Sequence, residues 1–274
     1  MPKFAEKFER NQVTMDFMDL GYRLMEGVDR MPTPLIRALR HQTSRDTKNI
    51  LLAGSPSSFN PEFAARLYRR LVNLTLGEGV NQETSQMLES SRDANVKVYT
   101  VDRDDETLQT CRDSMAERGS FLKEQAGIEF AYQKMDLTDL SDEAIAPGSI
   151  DVAFMDCLLS LNPENWVKVL AKLANLIGPS GIVFFREMLI KSPWLKKNTP
   201  DSVGMVCEGL NTNYHCLYEH ALERGVVENN LDLQYLPISR ALSFRHFGDD
   251  VGAFGVSVRE RVGVITKQAN VTMG

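Results

Sequence analysis

The spacing of apolar residues changes character once along the chain. Phe4, Phe8, Val13, Phe17, Leu20, Leu24 and Val28 recur at helical intervals before the breaker Met31-Pro32-Thr33-Pro34. Residues 1–48 are therefore expected to form an N-terminal helical cap. From Asn49 onward, short β-branched and aliphatic runs alternate with amphipathic stretches. This pattern predicts strands over 49–54, 96–101, 128–133, 150–155 and 181–186. Helices are predicted between them at 60–76, 105–125, 139–145 and 163–177, the last stopped by Gly178-Pro179-Ser180-Gly181.

Such alternation builds a parallel sheet covered by helices, so residues 49–274 are expected to make one α/β, Rossmann-like domain. The stretch Gly77 to Asn95, rich in Gly, Gln, Glu and Ser, reads as an insertion. Residues from about 190 to 228 read as helical and irregular. The chain then closes with two strand-like runs, Leu231 to Arg245 and Val256 to Lys267, joined by too short a link to be anything but antiparallel. A nicotinamide-type Rossmann fold would instead be expected to add a parallel strand through a helical crossover, so this ending favours the methyltransferase variant.

In an open parallel sheet the ligand sits beyond the carboxyl ends of the strands, and those ends are polar here. The first strand runs into Gly54-Ser55, where a turn with little side chain brings backbone N–H groups close to a ligand. The second ends in Asp102-Arg103, with a carboxylate suited to the two hydroxyls of a ribose. The third leads to Asp136-Leu137, where an acid can accept from an adenine amino group and Leu137 and Met135 can contact its ring. The alternative for Asp136 is a helix N-cap. The fourth ends in Asp156-Cys157, followed by Leu158 to Ser160, between cofactor and acceptor.

Composition narrows the functional classes. Hydrophobic residues make up 43% and charged ones 25%, enough for a sizeable core. No run approaches the roughly 18 apolar residues of a membrane span, and the charged start is unlike a signal peptide, which points to the cytoplasm. Cys111, Cys157, Cys207 and Cys216 form no CxxC pair, and their spacing to His215 and His220 matches no standard zinc pattern, so no metal is expected. A net charge of −6 lacks the bulk basic signature of a nucleic-acid binder. Arg37, Arg40, His41, Arg45, Lys48, Arg69 and Arg70 are nonetheless a candidate phosphate-binding surface, against the ordinary reading as solvated charges. Trp166 reads as a packing residue and Trp194 as the better acceptor contact.

The succession of strand, acid and second acid, followed by Ile150-Asp151-Val152-Ala153-Phe154, resembles the class I S-adenosylmethionine-dependent methyltransferases over Asn49 to Lys267. The strongest match is WVKVLAKLANLIGPSGIVFFRE, Trp166 to Glu187, with Pro179 and Gly181 in the family's turn pattern and Ser180 departing from it. Leu159-Ser160-Leu161-Asn162-Pro163, Phe185-Arg186-Glu187, Tyr214 before a helix ending in Gly225, and Arg261 to Lys267 are similar to the branch that includes tRNA 3-methylcytidine methyltransferases. The resemblance implies S-adenosylmethionine as cofactor, with Gly54, Ser55, Asp102, Arg103, Asp136, Leu137, Asp156 and Cys157 around it. It also implies methyl transfer to a small molecule or an RNA nucleobase, with Asp156, Glu187 and His215 as candidate bases. The family's first loop usually reads glycine-x-glycine, whereas only Gly54 stands here, with Pro56 and Ser58 following. That departure keeps open a noncatalytic subunit that binds a protein or RNA partner. A nicotinamide-dependent oxidoreductase is the third alternative.

Overall fold

Five runs of β-forming residues pair in parallel to give the body of the sheet. They are β1 (Thr47–Ala53), β2 (Asn95–Asp102), β3 (Ile128–Lys134), β4 (Ile150–Asp156) and β5 (Ile177–Lys191), in the order β3-β2-β1-β4-β5. The computed structural model describes residues 47–54, 95–116, 119–191, 201–207, 212–242, 244–246 and 257–268. The expected helix at 60–76, the Gly77 to Asn95 insertion up to residue 94, and the helical cap up to residue 46 lie outside them. Thr47 and Lys48 already belong to β1.

Because successive strands go from β1 outward to β2 and β3 and then to the other side with β4, the order reverses between β1 and β4. This switch point is where an open α/β sheet leaves a crevice at its carboxyl edge.

The described helices are α1 (Asp105–Ala116), α2 (Gly119–Ala126), α3 (Leu158–Leu161), α4 (Trp166–Leu176) and α5 (Glu219–Glu228). The helix expected over 105–125 is thus divided into α1 and α2. The one expected at 139–145 is corrected to a single 3-10 turn, Leu137–Asp139, followed by turns, because Asp136 caps that short turn locally.

Strand alternation divides the core. Leu51, Ala53, Ala153, Met155, Val183 and Phe185 join Trp166, Leu170, Leu173, Ala221 and Leu222 of α4 and α5 in one apolar cluster. Phe154 and Phe184, one residue out of phase, stack with ring centroids 5.6 Å apart. Trp166 is 3% exposed, and a Cβ built on Gly225 of α5 would lie 2.5 Å from its ring, so Trp166 packs as the sequence suggests.

Strand β5 is longer than the expected 181–186 at both ends. Opposite it, Ile150 pairs with Ile177 and Val152 with Ile182, so the Gly178 to Gly181 turn bulges out of the ladder against Asp151 alone. A Cβ on Gly181 would sit 2.8 Å from the Gly178 nitrogen, which is why the tight turn ends in glycine.

The far end of β5 passes beyond β4 and pairs at Leu189 and Ile190 with β7 (Thr212–Tyr218). Strand β7 pairs antiparallel with β6 (Ser202–Cys207), and β6 with β9 (Phe244–His246). These strands correct the helical and irregular reading of 190–228, of which only α5 is helical among the described residues. Val203, Val206, Thr212 and Tyr214 are strand formers that the lack of a long alternating run disguised.

The expected terminal antiparallel pair is present as β8 (Leu231–Leu242) and β10 (Ser257–Lys267). Strand β10 lies between β5 and β8, antiparallel to both. Its ladder with β8 skips a register between Arg261 and Gly263, opposite Pro237, which has no N–H to offer.

Candidate functional site

The carboxyl ends of β1, β2, β3 and β4 converge at the switch point, and each ends in a backbone device that turns the chain. Gly54 has φ +65° and donates its N–H to the Val101 carbonyl at 3.0 Å, extending the β1–β2 ladder by one rung. A Cβ on Gly54 would meet Leu158 Cδ1 at 2.6 Å. Glycine is therefore required twice, by the left-handed backbone and by the packing of α3. Ser55, Pro56 and Ser58 lie outside the described residues.

Asp102, half-buried, ends β2. Its Oδ1 accepts the Asp104 N–H at 2.8 Å, and its carbonyl accepts the Met135 N–H at 2.9 Å, tying the ends of β2 and β3 together. Capping of α1 falls to Asp104, whose Oδ2 accepts from Thr107 N at 3.0 Å and Thr107 Oγ1 at 2.5 Å. Asp104 was legible as an N-cap from the hydroxyl residue three positions on, though the strand-end acid before it drew attention first. Arg103 is exposed.

Asp136 is the N-cap of the 3-10 turn. Its Oδ1 accepts from Thr138 N at 2.9 Å and Thr138 Oγ1 at 2.7 Å. Leu137 is 5% exposed and belongs to the core with Ala53, Val101 and Met155. Asp136 thus caps its own turn, Leu137 lies in the core, and Met135 is half-buried against the same cluster.

Asp156 closes β4 in register with Arg186 of β5. Cys157 follows at φ 51°, a left-handed conformation that costs a side-chain-bearing residue, and its N–H donates to the Arg186 carbonyl at 2.7 Å. The chain turns there into α3. Ser160, expected to face the acceptor, and Asn162 help to hold this turn; Ser160 Oγ donates to Glu187 Oε2 at 2.5 Å and Asn162 Nδ2 to the Leu158 carbonyl at 2.7 Å.

Glu187 corrects the expectation of an acceptor-facing base. It has no exposed surface. Its Oε1 accepts from Leu159 N at 2.8 Å, and its Oε2 accepts from Ser160 N at 3.2 Å and from Ser160 Oγ at 2.5 Å. Both oxygens are committed to α3. His215 stands exposed on β7, opposite Gly204 of β6.

Arg261 of β10 is in direct register with Glu187 and reaches Glu219 Oε1 with Nη2 at 3.0 Å. Its guanidinium lies 5.2 Å from the ring centroid of Tyr235. Burial, reinforced by the Glu219 and Glu223 charges, pushes the Tyr235 hydroxyl well above its ordinary range. Glu223 is also pushed up, by burial first and then by Glu219. Among the described residues no group of three or more His, Cys, Asp or Glu is arranged to hold a metal ion, and no helix is long and apolar enough to cross a membrane.

No family model and no curated protein matches the chain. Solved structures do. The arsenic(III) S-adenosylmethionine methyltransferase of Chlamydomonas reinhardtii superposes with a TM-score of 0.53 at 14% identity, covering 88% of this chain and 76% of that one. The fold is that of the Rossmann-like methyltransferases. A SAM-dependent methyltransferase of Methanosarcina mazei gives a TM-score of 0.49 at 14% identity, covering 83% of this chain and 96% of that one. At such identity the methyltransferase-type fold alone is established.

Proposed function

We propose that the chain is a methyltransferase that takes S-adenosylmethionine in the crevice at the carboxyl ends of β1, β2 and β4 and passes its methyl group to an acceptor. The observation that carries this reading is Asp102. It is a half-buried carboxylate at the end of β2, one residue beyond the carbonyl that binds Gly54 N, and α1 is capped by Asp104 instead. Its place carries the reading: β2 lies beside β1 at the switch point of the sheet, and a carboxylate ending that strand is set where it can accept from ribose hydroxyls.

Gly54 and Asp102, which close the adjacent strands β1 and β2 at the switch point, would hold the nucleoside half of the cofactor, with the Cys157–Ser160 turn following β4 beside them. When bound, S-adenosylmethionine supplies a sulfonium methyl group that is electrophilic without a metal. The chain's own contribution is alignment and exclusion of water, with Asp102 fixing the ribose. An acceptor amine or ring nitrogen needs only orientation, whereas a hydroxyl would need a base, for which Asp156 and His215 remain the candidates.

We read the acceptor as a small molecule or an RNA nucleobase, and the compartment as cytoplasmic. The motif likeness to tRNA 3-methylcytidine enzymes favours RNA. Lys48, at 2% exposure, is removed from the basic surface that RNA would need, and the other six residues of that surface lie outside the described residues.

A second reading, a noncatalytic subunit for a protein or RNA partner, is favoured by the first loop, where Gly54 stands alone of the family's glycine-x-glycine and Pro56 has no N–H to offer. Isothermal titration with S-adenosylmethionine and S-adenosylhomocysteine, with NADH as control, separates the readings. Micromolar binding of the sulfur nucleosides is expected. Absence of that binding favours the subunit, and NADH binding alone favours an oxidoreductase.

A further inference from the structure

We propose that Glu187 is a positioning residue: its carboxylate, with Arg261 opposite it, holds the Cys157–Ser160 turn so that Leu158 is clamped against Gly54 of the first loop. The inference rests on the cofactor reading only in its consequence for binding; the mechanical link stands on geometry.

The link has three parts. Glu187 is wholly buried yet accepts three hydrogen bonds from Leu159 N, Ser160 N and Ser160 Oγ, so it fixes both the height and the rotation of the first turn of α3. A buried carboxylate in contact with several donors is stiff, because breaking any bond leaves a polar group unpaired away from water. The residue before that turn, Cys157, is held in a left-handed conformation with its N–H on the Arg186 carbonyl, so β5 grips the turn at two adjacent residues, 186 and 187. Leu158 lies between these two anchors, and its Cδ1 packs 2.6 Å from where a Cβ on Gly54 would lie.

Arg261 stands opposite Glu187 in the β5–β10 ladder. Residues directly opposed in an antiparallel ladder have their side chains on the same face, about 5 Å apart at Cβ. Arg261 is opposed to Glu187 in this way, and its guanidinium is also paired with Glu219. The guanidinium thus ties β10 to α5 through Glu219.

The test uses the thiol of Cys157, which is 6% exposed, against that of Cys111, which is 1% exposed and packed in α1. Alkylation of each by iodoacetamide is followed by peptide mass spectrometry in the full chain and in Glu187→Gln. Labelling of Cys157 is expected to accelerate about tenfold, the scale of one lost buried hydrogen bond, with Cys111 unchanged. Equal Cys157 rates overturn the proposal, and so does a parallel rise at both thiols, which marks general loosening. If Glu187→Gln does not fold, Ser160→Ala removes one of the three donors and is read the same way, with a smaller rise expected.

Affinity for S-adenosylhomocysteine supplies the second readout. Glu187→Gln is expected to bind about tenfold more weakly, while Leu222→Ala, a core variant on α5 with comparable thermal destabilisation, keeps wild-type affinity. Equal weakening in both variants overturns the positioning role. A wild-type chain that binds no sulfur nucleoside sinks the cofactor reading, whereas the thiol comparison still decides the clamp.

Discussion

Asp102 and Asp136 read alike in the sequence, each an acid at the end of a strand, and the structure separates them. Both accept the N–H two residues on, but Asp136 also takes the Thr138 hydroxyl and caps its own turn, while Asp104 relieves Asp102 of the cap of α1. Nothing in the residue types alone announces that division. Asp102→Ala is expected to weaken S-adenosylhomocysteine binding by roughly 1–3 kcal/mol while the protein stays folded, and titration against wild type checks it. Gly54→Ala is expected to cost about 1–2 kcal/mol of stability from the left-handed backbone alone, with Leu158 adding to it; urea unfolding measures the sum. Tyr132 offers a test by pH. Burial, then the neighbouring Cys111, push its hydroxyl up to about 12, against a smaller opposing effect of Arg112. The native state therefore keeps this proton at pH values where the unfolded chain has lost it. Stability is whole below pH 10 and is lost as pH rises towards 12, and Tyr132→Phe should flatten that alkaline decline in thermal unfolding.

Among the elements, those with strong periodicity were legible and those shaped by context were not. The strands β1 to β4 fall within two residues of their expected bounds, because β-branched, aliphatic and aromatic residues dominate each run. The extension of β5 to Lys191 was hidden, since its far half is stabilised by β7 and β10 rather than by its own pattern. Strands β6 and β7 were hidden for the same reason. The α4–α5 contact shows how packing overrides propensity. Alanine at Gly225 would gain about 1 kcal/mol of helix propensity, but its Cβ would fall 2.5 Å from the Trp166 ring, and overpacking costs about 1–3 kcal/mol. Gly225→Ala is thus expected to lower the melting temperature rather than raise it.

For the whole molecule, the mostly parallel sheet and the closing antiparallel pair were readable, because they follow from the alternation of elements and the shortness of one link. The proposed site follows from strand topology as a location only. Strand ends are fixed by topology, but the partners of Glu187 lie 27 and 28 residues away along the chain, and no local pattern reveals such a pairing. One feature of the topology also governs how the molecule can assemble. Strand β8 joins the sheet through β10 and no other described strand, and β10 fills the gap between β5 and β8. During synthesis, β5 and β8 must therefore wait, with open hydrogen-bonding edges, until the residues after Ser257 emerge and slide between them. That interval is when the nascent chain is most exposed to pairing with the wrong strand, and a chaperone that shields the edge of β5 would act there.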